Sequence, residues 1–134
     1  THLGSIGFLE RENTTIINSA LTKFFAKQFE CLKEINIPIF FTQNYGGLSS
    51  LQEILKFPIK TIASGPCNSL IGGAQLAKLP HAIVMDIGGT STDCGIVQNF
   101  FPRRSYDLNE VAGIRFSFPP PDLISLSIGG GTII

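Results

Sequence analysis

The sequence predicts an α/β domain, and three observations carry that prediction. Apolar residues fill 43% of its 134 positions and charged residues 15%, which supports a packed core and excludes the low-hydrophobicity, high-charge pattern of a disordered chain. The first eighty residues alternate a helical apolar period with short runs of β-branched and aromatic residues, as βαβ units do. From Pro80 onward the pattern becomes strand, tight turn, strand, the pattern of an antiparallel meander.

Taken in order, Ile17, Leu21, Phe24, Phe25, Phe29 and Leu32 recur at three- and four-residue steps, with Lys23, Lys27 and Glu30 between them. They predict an amphipathic helix over 14–34, with Asn13 as its N-cap because a short side-chain oxygen accepts from a free first-turn amide. IPIFFTQ, 37–43, is a predicted buried strand ended by the turn NYGG, and the polar Gln43, Asn44 and Tyr45 at that strand end read as a solvated turn in preference to a substrate contact. Ser49 or Ser50 then caps a short helix through Lys56, and IKTIAS, 59–64, is the next predicted strand. Gly65 and Pro66 open a helix to about Leu79. Past Pro80, strands at 82–87 and 92–98 flank a turn, and 102–108 is a weaker third strand. SFPPPD, 117–122, loses three amide donors and has three fixed φ angles, so it is a stiff connector. LISLSIGGGTI follows, an apolar strand running into three glycines where backbone can approach a ligand closely.

The composition excludes several function classes. Ten basic side chains balance ten acidic ones, and the one clustered basic pair is Arg103–Arg104, so the basic stripe that a nucleic acid requires is missing. No apolar run reaches the ~20 residues of a membrane span and no basic-then-apolar leader opens the chain. No membrane or nucleic-acid partner is expected, and a soluble, cytoplasmic protein is. Cys31, Cys67 and Cys94 form no CxxC pair and read as small core residues in a reducing compartment. His2 and His81 have no ligand-spaced neighbours and read as structural or surface residues. A chain that opens on Thr1 and closes on GGGTII reads as a piece of a longer protein.

The chemistry concentrates in MDIGGTSTDC, 85–94. If Asp86 ends one strand and Asp93 begins the next, the hairpin register sets them opposite each other on one face, with Cβ atoms about 4.5–5.5 Å apart. Two bare carboxylates at that distance repel, so either a shared proton or a divalent cation such as Mg2+ must compensate. Gly88 and Gly89 let amide N–H groups point at one anion, and Thr90, Ser91 and Thr92 add hydroxyl donors. Carboxylates for Mg2+ beside amides for phosphate oxygens suit a nucleoside triphosphate. An ordinary hairpin turn is the competing explanation. Neither GxxxxGK[ST] nor a GxGxxG opening a helix is present, so a nucleotide site here has to be of the hairpin type.

With those residues in view, DIGGTSTD resembles the second phosphate loop of the actin-like ATPase superfamily. RENTTIINSAL, FTQNYGGLSS, IKTIASGP, MDIGGTSTD, VAG and IGGGTI occur in the order seen in the hydantoinase/oxoprolinase family, of the N-methylhydantoinase A type. The resemblance implies part of an actin-like, ribonuclease H-like fold, with 1–80 ending the first half and its crossover helix, and 81–134 beginning the second. It implies ATP and Mg2+ as cofactors, cyclic amides such as hydantoin or 5-oxoproline as substrates, and a partner subunit of the B type. By the same resemblance, Asp86 and Asp93 are the catalytic and metal-binding pair. Gly88, Gly89, Thr90, Ser91 and Thr92 wrap the phosphates, and Gly129, Gly130 and Gly131 approach the nucleotide. Related ATP-dependent carboxylases imply a second reading, a nucleotide-binding or assembly module acting through a partner. The family's upstream DxGGT-type loop is absent from this chain, so the segment alone is expected to be inactive.

Overall fold

The computed structural model describes residues 7–105, 109–111 and 113–133; His2, the end of the expected third strand at 106–108 and Ala112 of the VAG block lie outside the described residues. In chain order the elements are α1 (Leu9–Gln28), a 3-10 helix (Glu30–Glu34), β1 (Phe40–Thr42), β2 (Leu48–Ser50), α2 (Leu51–Lys56), a second 3-10 helix (Pro58–Thr61), α3 (Ser64–Ala77), β3 (His81–Ile87), β4 (Thr92–Gln98), β5 (Phe101–Pro102), β6 (Asn109–Val111), β7 (Ile114–Phe116) and β8 (Leu123–Leu126). Packing divides the chain into two units, one of 1–43, 47–62 and 106–119, the other of 44–46, 63–105 and 120–134.

In the first unit, α1 starts earlier than Asn13 predicts. Phe8 stands at its N-cap without a side-chain cap, and Glu10 and Glu12 in the first turn complement the positive helix end. Asn13 lies inside the helix and donates from Nδ2 to the Arg115 carbonyl at 2.8 Å, a tertiary use that outweighs the local one. The expected single helix also ends at Gln28, and 30–34 tighten into a 3-10 turn. Fully buried Thr14 donates to the Glu10 carbonyl at 2.6 Å and accepts from the Ser117 amide at 2.8 Å, which ties α1 to the end of β7.

The expected strand at 37–43 shrinks to β1, which pairs antiparallel with β2 and closes through Gln43 N–H on the Gly47 carbonyl at 2.7 Å. No parallel pairing occurs among the described residues, so the βαβ expectation is corrected: the architecture is mixed α/β with antiparallel sheets. Ser50 caps α2 as expected, its Oγ accepting from the Glu53 amide at 3.3 Å. The expected strand at 59–64 is instead the Pro58–Thr61 helix. Pro58 presets a helical φ, Thr61 Oγ1 donates to the Pro58 carbonyl at 2.8 Å, and Asn18 Oδ1 accepts from the Ile59 amide at 3.3 Å. This turn buries Ile59 completely, as α2 buries Ile54, and full burial of each such side chain contributes about 1.5–3 kcal/mol.

In the second unit, β4 pairs with β3 along its whole length; its other edge carries β8 from Thr92 to Gly95 and β5 at Val97 and Gln98. α3 lays Leu70 and Ala74 against Val97, with Val84 and Phe100 closing the core. The approach needs Gly95, because a Cβ there would lie 2.5 Å from Leu70 Cδ1. α3 therefore packs with the strands that follow it, so compactness divides the chain elsewhere than at Pro80. On the opposite sheet face Ile83, Met85, Ile87, Ile124 and Leu126 are exposed. No helix among the described residues is long and apolar enough to cross a membrane.

Candidate functional site

The hairpin forms as its residues predict. β3 and β4 flank 88–91, the Gly88 amide donates to the Ser91 carbonyl at 2.9 Å, and Asp86 stands directly opposite Asp93. Opposed residues of an antiparallel pair share a face, so both carboxylates lie on the side that carries Val84, Gly95 and Val97 against α3. Both are partly exposed at the turn end of the sheet, and Gly88, Gly89 and Thr90 are exposed beyond them.

The third member of this row was not singled out from the sequence. Ser125 on β8 is the register partner of Asp93, and its hydroxyl donates to Asp93 Oδ1. A cross-strand row Asp86–Asp93–Ser125 therefore spans three strands. Only the pairing of β8 with β4, from more than thirty residues away, makes Ser125 part of it.

The triple glycine also meets the hairpin. Gly130 N–H donates to the Gly88 carbonyl at 2.9 Å, and Gly131 N–H to the Gly89 carbonyl at 2.8 Å. Glycine at 129 is required by backbone, since a Cβ would lie 2.6 Å from the Gly88 oxygen and 2.7 Å from Thr90 N. Thr132 closes this segment, its Oγ1 accepting from Gly129 N–H and its own amide donating to the Gly129 carbonyl, both at 2.9 Å. Thr92, expected to offer its hydroxyl to phosphate, donates it to the Ile128 carbonyl at 2.6 Å.

These bonds set the direction of the turn. In a trans peptide the N–H points opposite to the C=O of the same unit. With the Gly88 and Gly89 carbonyls held by Gly130 and Gly131, the amides of Gly89 and Thr90 point away from the glycine segment. Among the described residues neither amide donates to a backbone carbonyl.

This donor set fits magnesium-bound ATP. Mg2+ usually keeps several waters and takes one or two carboxylates plus phosphate oxygens, which Asp86 and Asp93 would supply beside the Gly89 and Thr90 amides. No group of three or more His, Cys, Asp or Glu clusters as a metal cage among the described residues, so water and phosphate would complete the coordination.

Other expectations fare unevenly. Gln43 and Asn44 are 4% and 1% exposed, so the solvated-turn reading is corrected; Gln43 Nε2 donates to Ser49 Oγ, a partner on the neighbouring strand. Tyr45 lies under the Arg104 guanidinium, 5.0 Å from ring centroid, and Arg103 Nε bonds Asp122 Oδ2 at 2.6 Å. Cys67 is buried as expected, and burial pushes its thiol from 9.0 up to about 11, whereas Cys31 is exposed and Cys94 partly so. His81 is exposed.

The family profile described as hydantoinase/oxoprolinase matches residues 11–134. Among curated proteins no sequence matches. A nucleotide-free structure of acetone carboxylase, from work on the mechanism of ATP-dependent acetone carboxylation, superposes with a TM-score of 0.69 at 23% identity over 92% of this chain. The match covers 18% of the acetone carboxylase chain, and at that identity it establishes a shared fold.

Proposed function

This chain belongs to the hydantoinase/oxoprolinase family, and from that premise we propose that it supplies the second phosphate and Mg2+ loop of an ATP-dependent enzyme that opens cyclic amides of the hydantoin or 5-oxoproline type. The observation that carries the proposal is the exposed turn whose Gly89 and Thr90 amides point outward beside the opposed pair Asp86 and Asp93. The chain spans 18% of the acetone carboxylase chain it matches, so the activity is proposed for a longer protein with an actin-like core of two halves.

ATP would supply the phosphoryl group that turns a carbonyl oxygen into a better leaving group. The chain's own residues do the positioning. Asp86 and Asp93 hold the cation or its waters, the Gly89 and Thr90 amides hold phosphate oxygens, and Gly88, Thr90 and Ser91 border the same turn. Preorganised donors of this kind act without reorganising at the moment of transfer. Substitution Asp86→Asn is expected to lower phosphate release from ATP, in the presence of hydantoin or 5-oxoproline, by about 100-fold, the loss of one transition-state contact. Release at the wild-type rate would remove Asp86 from the mechanism.

The likeness to acetone carboxylase favours a second reading, in which the same loop serves an ATP-dependent carboxylation together with a B-type partner subunit. Phosphate release that depends on a ketone and bicarbonate, and not on a cyclic amide, selects it.

A further inference from the structure

The bonds around the turn separate residues that would touch a ligand from residues that hold those in place. Gly130 and Gly131 spend their amides on the turn carbonyls, Thr92 spends its hydroxyl on Ile128, and Ser125 spends its hydroxyl on Asp93. All four interactions join β8 or the glycine segment after it to the hairpin. We propose that β8 and 127–132 form a brace that positions the hairpin: Ser125 orients the Asp93 carboxylate, and the Gly130 and Gly131 amides aim the Gly89 and Thr90 N–H groups at phosphate. This rests on the functional reading above and revises it, because the triple glycine acts through the turn and not as a nucleotide contact.

A carboxylate on a partly exposed strand end rotates about two torsions unless a partner fixes it. A donor on Oδ1 leaves Oδ2 for the cation or its water, and partners of metal-binding carboxylates commonly control affinity in this way. For the turn, each peptide plane has one rotational freedom, and bonding its carbonyl on one side fixes its amide on the other. Glycine at 129 allows backbone to lie against backbone at the required distance; alanine would force the segment or the turn to move.

The test measures Mn2+ binding in the presence of a non-hydrolysable ATP analogue, read from the electron paramagnetic resonance signal of free Mn2+, with thermal melting as a check on folding. Ser125→Ala is expected to weaken Mn2+ binding about tenfold at near wild-type melting temperature, and Ser125→Thr, which keeps the hydroxyl, to restore it. Gly129→Ala is expected to weaken it at least as much. Asp93→Asn serves as the reference. Weak binding in Asp93→Asn with wild-type binding in Ser125→Ala and Gly129→Ala would overturn the brace and leave the site standing. Wild-type binding in Asp93→Asn would overturn the site itself, and the brace with it.

Discussion

Two ends of one pair of strands differ in what glycine does there. At the α3 end, Gly95 makes room chiefly for a side chain, with Leu70 Cδ1 2.5 Å and the Asp122 carbonyl oxygen 3.2 Å from where its Cβ would be. At the turn end, Gly129 makes room for backbone, with the Gly88 oxygen at 2.6 Å. A side chain can rotate away, whereas a turn held by two amide bonds moves as a unit. One end of the sheet is therefore built for stability, and the other for the direction in which a few amides point.

The largest expected effect is that of Leu70→Ala. Leu70 is fully buried in the core with Ala74 and Val97, so truncation is expected to cost about 2–5 kcal/mol in denaturant melts, with nucleotide affinity of the folded fraction unchanged. Gly95→Ala follows, at about 1–3 kcal/mol from overpacking against the same leucine. The double variant sharpens the point: Leu70→Ala removes the atom that Gly95→Ala strikes, so their combined cost should fall short of the sum by more than about 0.5 kcal/mol. Additive costs would show that Gly95 serves something other than Leu70.

At neutral pH the smallest effect belongs to Cys67. Its folded pKa is raised by burial from 9.0 to about 11, so the folded chain keeps a proton that the unfolded chain releases. The stabilisation is complete below pH 9.0 and is lost as pH rises towards about 11. Cys67→Ala should flatten that alkaline limb. In the native protein a thiol reagent should label exposed Cys31 and spare Cys67.

How far the sequence revealed this arrangement depended on the range of the interactions. The Ser50 cap, the helix opening at Gly65–Pro66 and the hairpin with Asp86 opposite Asp93 are local, set by spacing within a few residues, and were legible. The start of α1 was not, because Asn13 is recruited by Arg115 from 102 positions away. Nor was the 3-10 turn at Pro58–Thr61, whose β-branched residues mimic a strand while Asn18 on α1 takes the Ile59 amide. At the site, carboxylates and glycines were visible as types. The brace was not, since Ser125 and Gly129–Gly131 gain their meaning only when β8 pairs with β4. Buried Gln43 was misread for the same reason: its partner Ser49 belongs to the next strand.

The most direct measurement is amide hydrogen exchange across 86–93 in the whole protein, with and without saturating MgATP. Exchange at Gly89 and Thr90 should slow on adding MgATP, and Asp86→Asn should abolish the protection. Unchanged exchange at those two amides under saturating MgATP would mean that they hold no phosphate.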